Sequence, residues 1–194
     1  MDLVVHAWEV GIACRYKAGP HVRSTDEGGH ADAILPRGVP VGYYARTRRD
    51  RRLAIVAPGM VRDAAALLRD RPEYMRAGEA RGRNCLTTFA VLDVGEARAA
   101  AFAAAWEAIA ADPPLFVAVG GNCAQVITRA LEGIGALPRG WLRPGSPDAL
   151  FRAVVAAHPG ARIATGFAEF TPDGSGGYGI RLENAVGARL PVAA

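Results

Sequence analysis

Residues 120–135 read GGNCAQVITRALEGIG, and no other stretch constrains the fold as strongly. Val126, Ala130 and Ile134 recur every four residues, which is the spacing of one helical face. Gly120 and Gly121 precede the stripe, and Gly133 and Gly135 end it. The spacing therefore predicts a helix over 122–134 whose apolar face packs on a second layer. Cys123 falls in its first turn. Unpaired N–H groups and the positive dipole end favour thiolate over thiol there, and the thiolate is the nucleophile. The same N–H groups can hold an oxyanion. A small buried core cysteine is the competing reading, and spacing alone leaves the two even.

The second layer is read from the flanks. Leu3–Ala13 (LVVHAWEVGIA) reads as a strand, His30–Leu35 as a second and Val39–Ala45 as a third, with Pro36, Arg37 and Gly38 turning between the last two. Together they make an antiparallel meander. Residues 19–29 and 46–52 read as polar and basic loops, and Leu53–Ala57 as a short apolar run. Val61–Leu68 has helical spacing with Asp63 near its start. Asn84–Val94 is a strand candidate, and Gly95–Ala111 an alanine-rich helix ended by Pro113 and Pro114. Leu115–Val119 is a short apolar run. A helix is expected over Pro147–Ala157, capped by Ser146, and late strands over Ile163–Phe170 and Tyr178–Leu182. Strands at both ends with helices between predict an α+β fold, an antiparallel sheet packed against helices. The 194 residues suit a single domain, 1–194.

A cysteine nucleophile needs a base, and histidine is its usual partner. His30 follows two glycines at a strand start, in GGHADAILPRG. His6 lies inside an apolar strand and reads as a core histidine. His21 and His158 sit in proline-bearing loops and read as surface residues. Gly120 and Gly121 are expected to bring the nucleophile's chain close to His30's strand. The imidazole needs a group to orient it. Asp32, two residues on, shares His30's strand face, but such side chains lie about 6–7 Å apart. A backbone carbonyl, Tyr43 or Tyr44 could take the role instead, and an exposed strand residue is the plain reading of Asp32. Asn122, Tyr43 and Tyr44 are the candidate oxyanion or substrate-binding residues. Cys14 and Cys85 read as structural.

At GGHADAILPRGVPVGYYA and GGNCAQVITRALEGIG the chain resembles the circularly permuted branch of the NlpC-like/papain-like cysteine hydrolase superfamily. In that branch a Gly-His-Ala strand, a turn and a Gly-aromatic return precede an Asn-Cys helix. The resemblance carries the family's catalytic pair onto Cys123 and His30. Related acyltransferases of the lecithin:retinol type place a second histidine on the returning strand. This chain has Gly42, Tyr43 and Tyr44 there, so lipid acyl transfer in their manner does not follow. Permuted domains also occur as bacterial effector toxins, including type VI secretion cargo. The resemblance thus implies a protein or peptide-like substrate and a possible cognate immunity or secretion protein.

Composition excludes other classes. The formal charge is +4, almost all of it arginine among abundant alanine, and Lys17 is the only lysine. That pattern reads first as codon bias. Acidic residues are interspersed, and no aromatic-basic interleaving supports nucleic-acid binding. Three cysteines at wide spacing give no disulfide framework, no CxxC and no zinc-finger spacing, so no metal or cofactor is expected. No membrane-length apolar run or cleaved signal pattern is present. The expected location is the producing cell's cytoplasm, with any export by a route that needs no cleaved signal. The chemistry expected is a thiol hydrolase or transferase acting on an amide, isopeptide or ester bond. The alternative is a non-catalytic binding module on the same fold.

Overall fold

The N-terminal apolar run does not form one strand but two, β1 (Asp2–Leu3) and β2 (Glu9–Lys17). Glu9 causes the break. Its buried carboxylate accepts the His6 N–H at 2.8 Å and pairs with Arg162 at 2.7 Å, while the Glu9 N–H donates to the His6 carbonyl. His6 is therefore not a core residue: it is exposed and stacks on Trp8, ring centroids 4.6 Å apart. The structure is a computed structural model and describes residues 1–17, 29–46, 56–118, 120–140 and 144–186. Most of the two loops expected over 19–29 and 46–52 lies outside the described residues, as does His21.

The expected hairpin follows as β3 (His30–Ile34), a 3-10 turn at Pro36–Gly38, and β4 (Pro40–Ala45). The expected helix over 61–68 starts later. Val61 and Arg62 end β5 (Val56–Arg62), paired with Tyr43 and Gly42. The helix α1 is Ala64–Asp70, because the Asp63 carboxylate caps it by accepting from the Ala66 N–H at 2.7 Å. A 3-10 turn at Pro72–Tyr74 and a short helix, α2 (Ala77–Gly82), were not foreseen. Then come β6 (Cys85–Asp93), α3 (Glu96–Ala111), β7 (Leu115–Val117), α4 (Cys123–Gly133), α5 (Pro147–Ala157), β8 (Arg162–Pro172) and β9 (Tyr178–Val186). As expected, the Ser146 hydroxyl caps α5 by accepting from the Ala149 N–H at 3.2 Å.

Among the described residues nine strands form one antiparallel sheet, ordered β1-β9-β8-β6-β2-β3-β4-β5-β7, with five α-helices. The fold is α+β. Alternate residues of a strand face opposite sides, and here both sides are buried. Val10, Ile12 and Cys14 of β2 face a core completed by Phe102 and Trp106 of α3, Ile127 and Leu131 of α4, and Phe151 of α5. Ala13 faces a second core with Phe89, Leu67 of α1, Ala80 of α2, Phe170 and Ile180. In α3 only Ala99, Phe102 and Trp106 are buried, an i, i+3, i+7 stripe that seats an otherwise alanine-rich rod. No helix among the described residues is long and apolar enough to cross a membrane.

Candidate active site

The site forms where β3 meets the N-terminus of α4. Asn122 starts α4 with a reciprocal cap. Its Oδ1 accepts from the Gln125 N–H at 3.2 Å, and the Gln125 side chain accepts from the Asn122 N–H at 3.4 Å. Its Nδ2 donates to the carbonyls of Ala118 and Gly145, at 3.1 and 2.8 Å. Both amide hydrogens are thus committed to backbone. Asn122 fixes the helix start and is not turned toward a substrate oxyanion. Cys123 is the first residue of α4, so its N–H and that of Ala124 have no intrahelical acceptor.

Cys123 packs onto β3 on the α4 side of the sheet, and its thiol is coupled electrostatically to the His30 ring. The Ala31 N–H also reaches the sulfur. The β3–β4 ladder runs from Ile34↔Pro40 only to Asp32↔Gly42. Gly120 and Gly121 do not make this approach to β3. Gly121 forms a bridge with Val117, and a Cβ there would press on Val117 and the Leu115 carbonyl of β7.

Asp32 does touch His30. Its Oδ1 lies 2.7 Å from the ring Nε2 and accepts the Tyr44 hydroxyl at 3.2 Å. With Nε2 turned to the carboxylate, Nδ1 is the nitrogen left for the sulfur. Asp32 is wholly buried, not an exposed strand residue. The Tyr44 ring also stacks on the imidazole, centroids 4.2 Å apart. Tyr43 points to the other face. Its hydroxyl donates to the Pro114 carbonyl at 2.6 Å and its ring stacks on Phe116, so it ties β4 to the chain around β7. Neither tyrosine offers its hydroxyl to an oxyanion.

Arg15 escaped the sequence reading, and Gly42, read there only as part of the Gly-aromatic return, also belongs to the site. Arg15, only 2% exposed, pairs across the β2–β3 register with His30 and forms a buried ion pair with Asp32 through Nη1 and Oδ2. Its guanidinium lies 4.3 Å from the Tyr74 ring centroid. The signal was an arginine inside a strand flanked by apolar residues, in GIACRY. Gly42 lies opposite Asp32, and a Cβ on it would collide with that carboxylate and with the Tyr44 ring. A cavity of about 200 Å³ adjoins the ring of His30, lined also by Arg15, Tyr44, Arg71 and Tyr74.

The electrostatics follow from this order of charges. Burial opposes the Cys123 thiolate, but the His30 imidazolium, their hydrogen bond and the Ala31 N–H together hold the thiol below its ordinary range. Burial likewise opposes the imidazolium. The charges of Cys123 and Asp32 and hydrogen bonds to both outweigh it and raise His30 to about 9. Burial is again overcome at Asp32, which Arg15 and His30 hold below the usual carboxylate range. These charges favour a thiolate–imidazolium pair. His158 is half-buried, with Nε2 at 2.5 Å from the Ala136 carbonyl, and takes no part. Among the described residues no group of three or more His, Cys, Asp and Glu side chains is arranged to hold a metal ion. No protein-family model matches the chain, and neither does any curated protein or solved structure with which it was compared.

Proposed function

We propose that the chain is a cysteine hydrolase or transferase of the permuted NlpC-like/papain-like kind, acting on an amide, isopeptide or ester bond. The observation that carries this reading is the series Cys123–His30–Asp32, a thiol at a helix N-terminus coupled electrostatically to an imidazole whose Nε2 lies 2.7 Å from a buried carboxylate. The Cys123 thiolate attacks the carbonyl carbon, while the N–H groups of Cys123 and Ala124 face the developing oxyanion. The imidazolium then gives its Nδ1 proton to the leaving amine or alcohol. His30, now neutral, takes a proton from the water or other nucleophile that attacks the thioester, and sulfur leaves as thiolate, which restores the thiolate–imidazolium pair. Asp32 keeps Nε2 protonated throughout and so presents Nδ1 to the sulfur.

A protein or peptide-like substrate and a role as an exported effector toxin, with a cognate immunity protein, belong to the same proposal. The direct test is expression of wild type and Cys123→Ala, each targeted to cytoplasm and to periplasm. Growth arrest by wild type alone in one compartment supports both the chemistry and the toxin role. Equal effects of the two proteins in both compartments count against them. The alternative, a non-catalytic binding module, draws on the burial of Cys123, which is only 6% exposed. Iodoacetamide separates the two, because an inert core thiol labels as slowly as Cys14 and Cys85.

A further inference from the structure

Four charged groups lie in series across the site: Arg15, Asp32, His30 and Cys123. Arg15 is the only one of them that does not titrate in the accessible range. It holds one carboxylate oxygen of Asp32, while the other oxygen takes the His30 Nε2–H and the Tyr44 hydroxyl. The carboxylate is thereby fixed in orientation and shared between two cations. Tyr44 on β4, Tyr74 in the 3-10 turn and Cys14 on β2 also face this series; burial pushes all three up, so they stay neutral. Cys85 on β6, Arg71 beside the cavity and Arg62 at the end of β5, both guanidiniums over the Tyr44 ring at 6.0 and 5.0 Å, make up the rest of the surround.

We infer that Arg15 is a positioning residue that compensates Asp32, so that the counter-charge of the His30 imidazolium is the Cys123 thiolate and not the carboxylate. The inference rests on the catalytic reading of Cys123 and His30. Its logic is a proton balance in a buried site, where net charge is strongly disfavoured. With Arg15 present, the thiolate–imidazolium pair leaves the four groups at zero net charge. Without it, Asp32, His30 and Cys123 would sum to one negative charge. The site then takes up one proton, Asp32 neutralises the imidazolium, and Cys123 remains a thiol.

The experiment is the pH dependence of iodoacetamide alkylation at Cys123, followed by mass spectrometry of the intact full chain. In Arg15→Met the acid limb moves up by at least about one pH unit, so alkylation below the limb slows at least about tenfold. Arg15→Lys, which keeps the charge, holds the limb at its wild-type position. The double variant Arg15→Met/Asp32→Asn removes both compensating charges, and its limb moves back toward wild type. A purely structural role predicts no such recovery, and a double variant that titrates with Arg15→Met would overturn the inference. If Arg15→Met does not fold, the double variant is compared with Asp32→Asn alone. Its limb should then lie higher, and coincident limbs overturn the inference. A wild-type Cys123 that labels no faster than Cys14 and Cys85 brings down the catalytic reading itself, a distinguishable failure.

Discussion

Two cysteines of one core show how far neighbours decide chemistry at the scale of the residue. Cys14 and Cys123 are both buried in the α4-side core. Cys14 donates to the Pro147 carbonyl at 3.5 Å, and its thiol is pushed up, first by burial and then by the negative charge of Cys123. Cys123 has the His30 imidazolium against its sulfur and is pushed down. The expected outcome is selective labelling. At neutral pH iodoacetamide modifies Cys123 at least about tenfold faster than Cys14 or Cys85. Alkylation needs only the thiolate, whereas turnover also needs the imidazolium proton. Turnover should therefore fall as pH rises through about 9, where His30 loses that proton, while alkylation does not fall. A common alkaline limb for both rates would show that His30 is not the general acid. The Asp32 contact gives a companion expectation. Asp32→Ala should lower turnover about 10²-fold or more by freeing the tautomer, and Asp32→Asn should bring the alkaline limb down. Wild-type turnover in both variants, with an unchanged profile, would leave the orientation of His30 to Tyr44 or the backbone.

Elements set these residues in place, and one variant at each of two elements tests how. Asn122→Ala removes the cap of α4 and should cost about 1 kcal/mol of stability, read from urea unfolding. It should also slow Cys123 alkylation, because the helix start frays where the thiol sits. Gly42→Ala drives a Cβ into Asp32 and the Tyr44 ring and should cost about 1–3 kcal/mol by overpacking. A Gly42→Ala chain of wild-type stability and turnover would show that the carboxylate can move aside. The α4 boundaries and the β3–β4 hairpin were legible because their signals are local: a cap, glycines, a Pro-Arg-Gly turn. The β5–α1 boundary was blurred because Val61 fits helical spacing as well as a strand, and only the Asp63 cap tells them apart. The partner of Arg15 was not legible at all. It depends on the β2–β3 register, which periodicity does not supply. The direct His30–Asp32 contact was underestimated for a related reason. Spacing along a strand places the two Cα atoms, not the carboxylate, which Arg15 and Tyr44 hold from neighbouring strands.

For the molecule as a whole, the site enters the folding equilibrium through its protons. His30 is raised from 6.5 to about 9 in the folded chain, so its contribution is fully present below 6.5 and is lost as pH rises through about 9. Cys123 is lowered from 9.0, so its contribution is fully present above 9.0 and is lost as pH falls through its folded value. Between 6.5 and about 9 the two therefore change in opposite directions. Where folded Cys123 is thiolate and His30 is still imidazolium, the unfolded chain holds this proton on sulfur and the folded chain holds it on imidazole, so the number bound by the pair is the same. Over that range the pair's contribution to stability should be flat. Cys123→Ser removes one side of the balance. By the charge balance argued for Arg15, His30 loses its counter-charge in that variant, burial opposes the imidazolium, and the imidazole no longer favours folding above 6.5. Where the wild-type pair is flat, the variant should then run parallel to it. Urea unfolding of both proteins from pH 6 to pH 9 measures this directly. A variant curve that falls as pH rises, by up to about 1.4 kcal/mol per pH unit, would show that Asp32 alone holds the imidazolium, and the compensation by Arg15 would have to be given up.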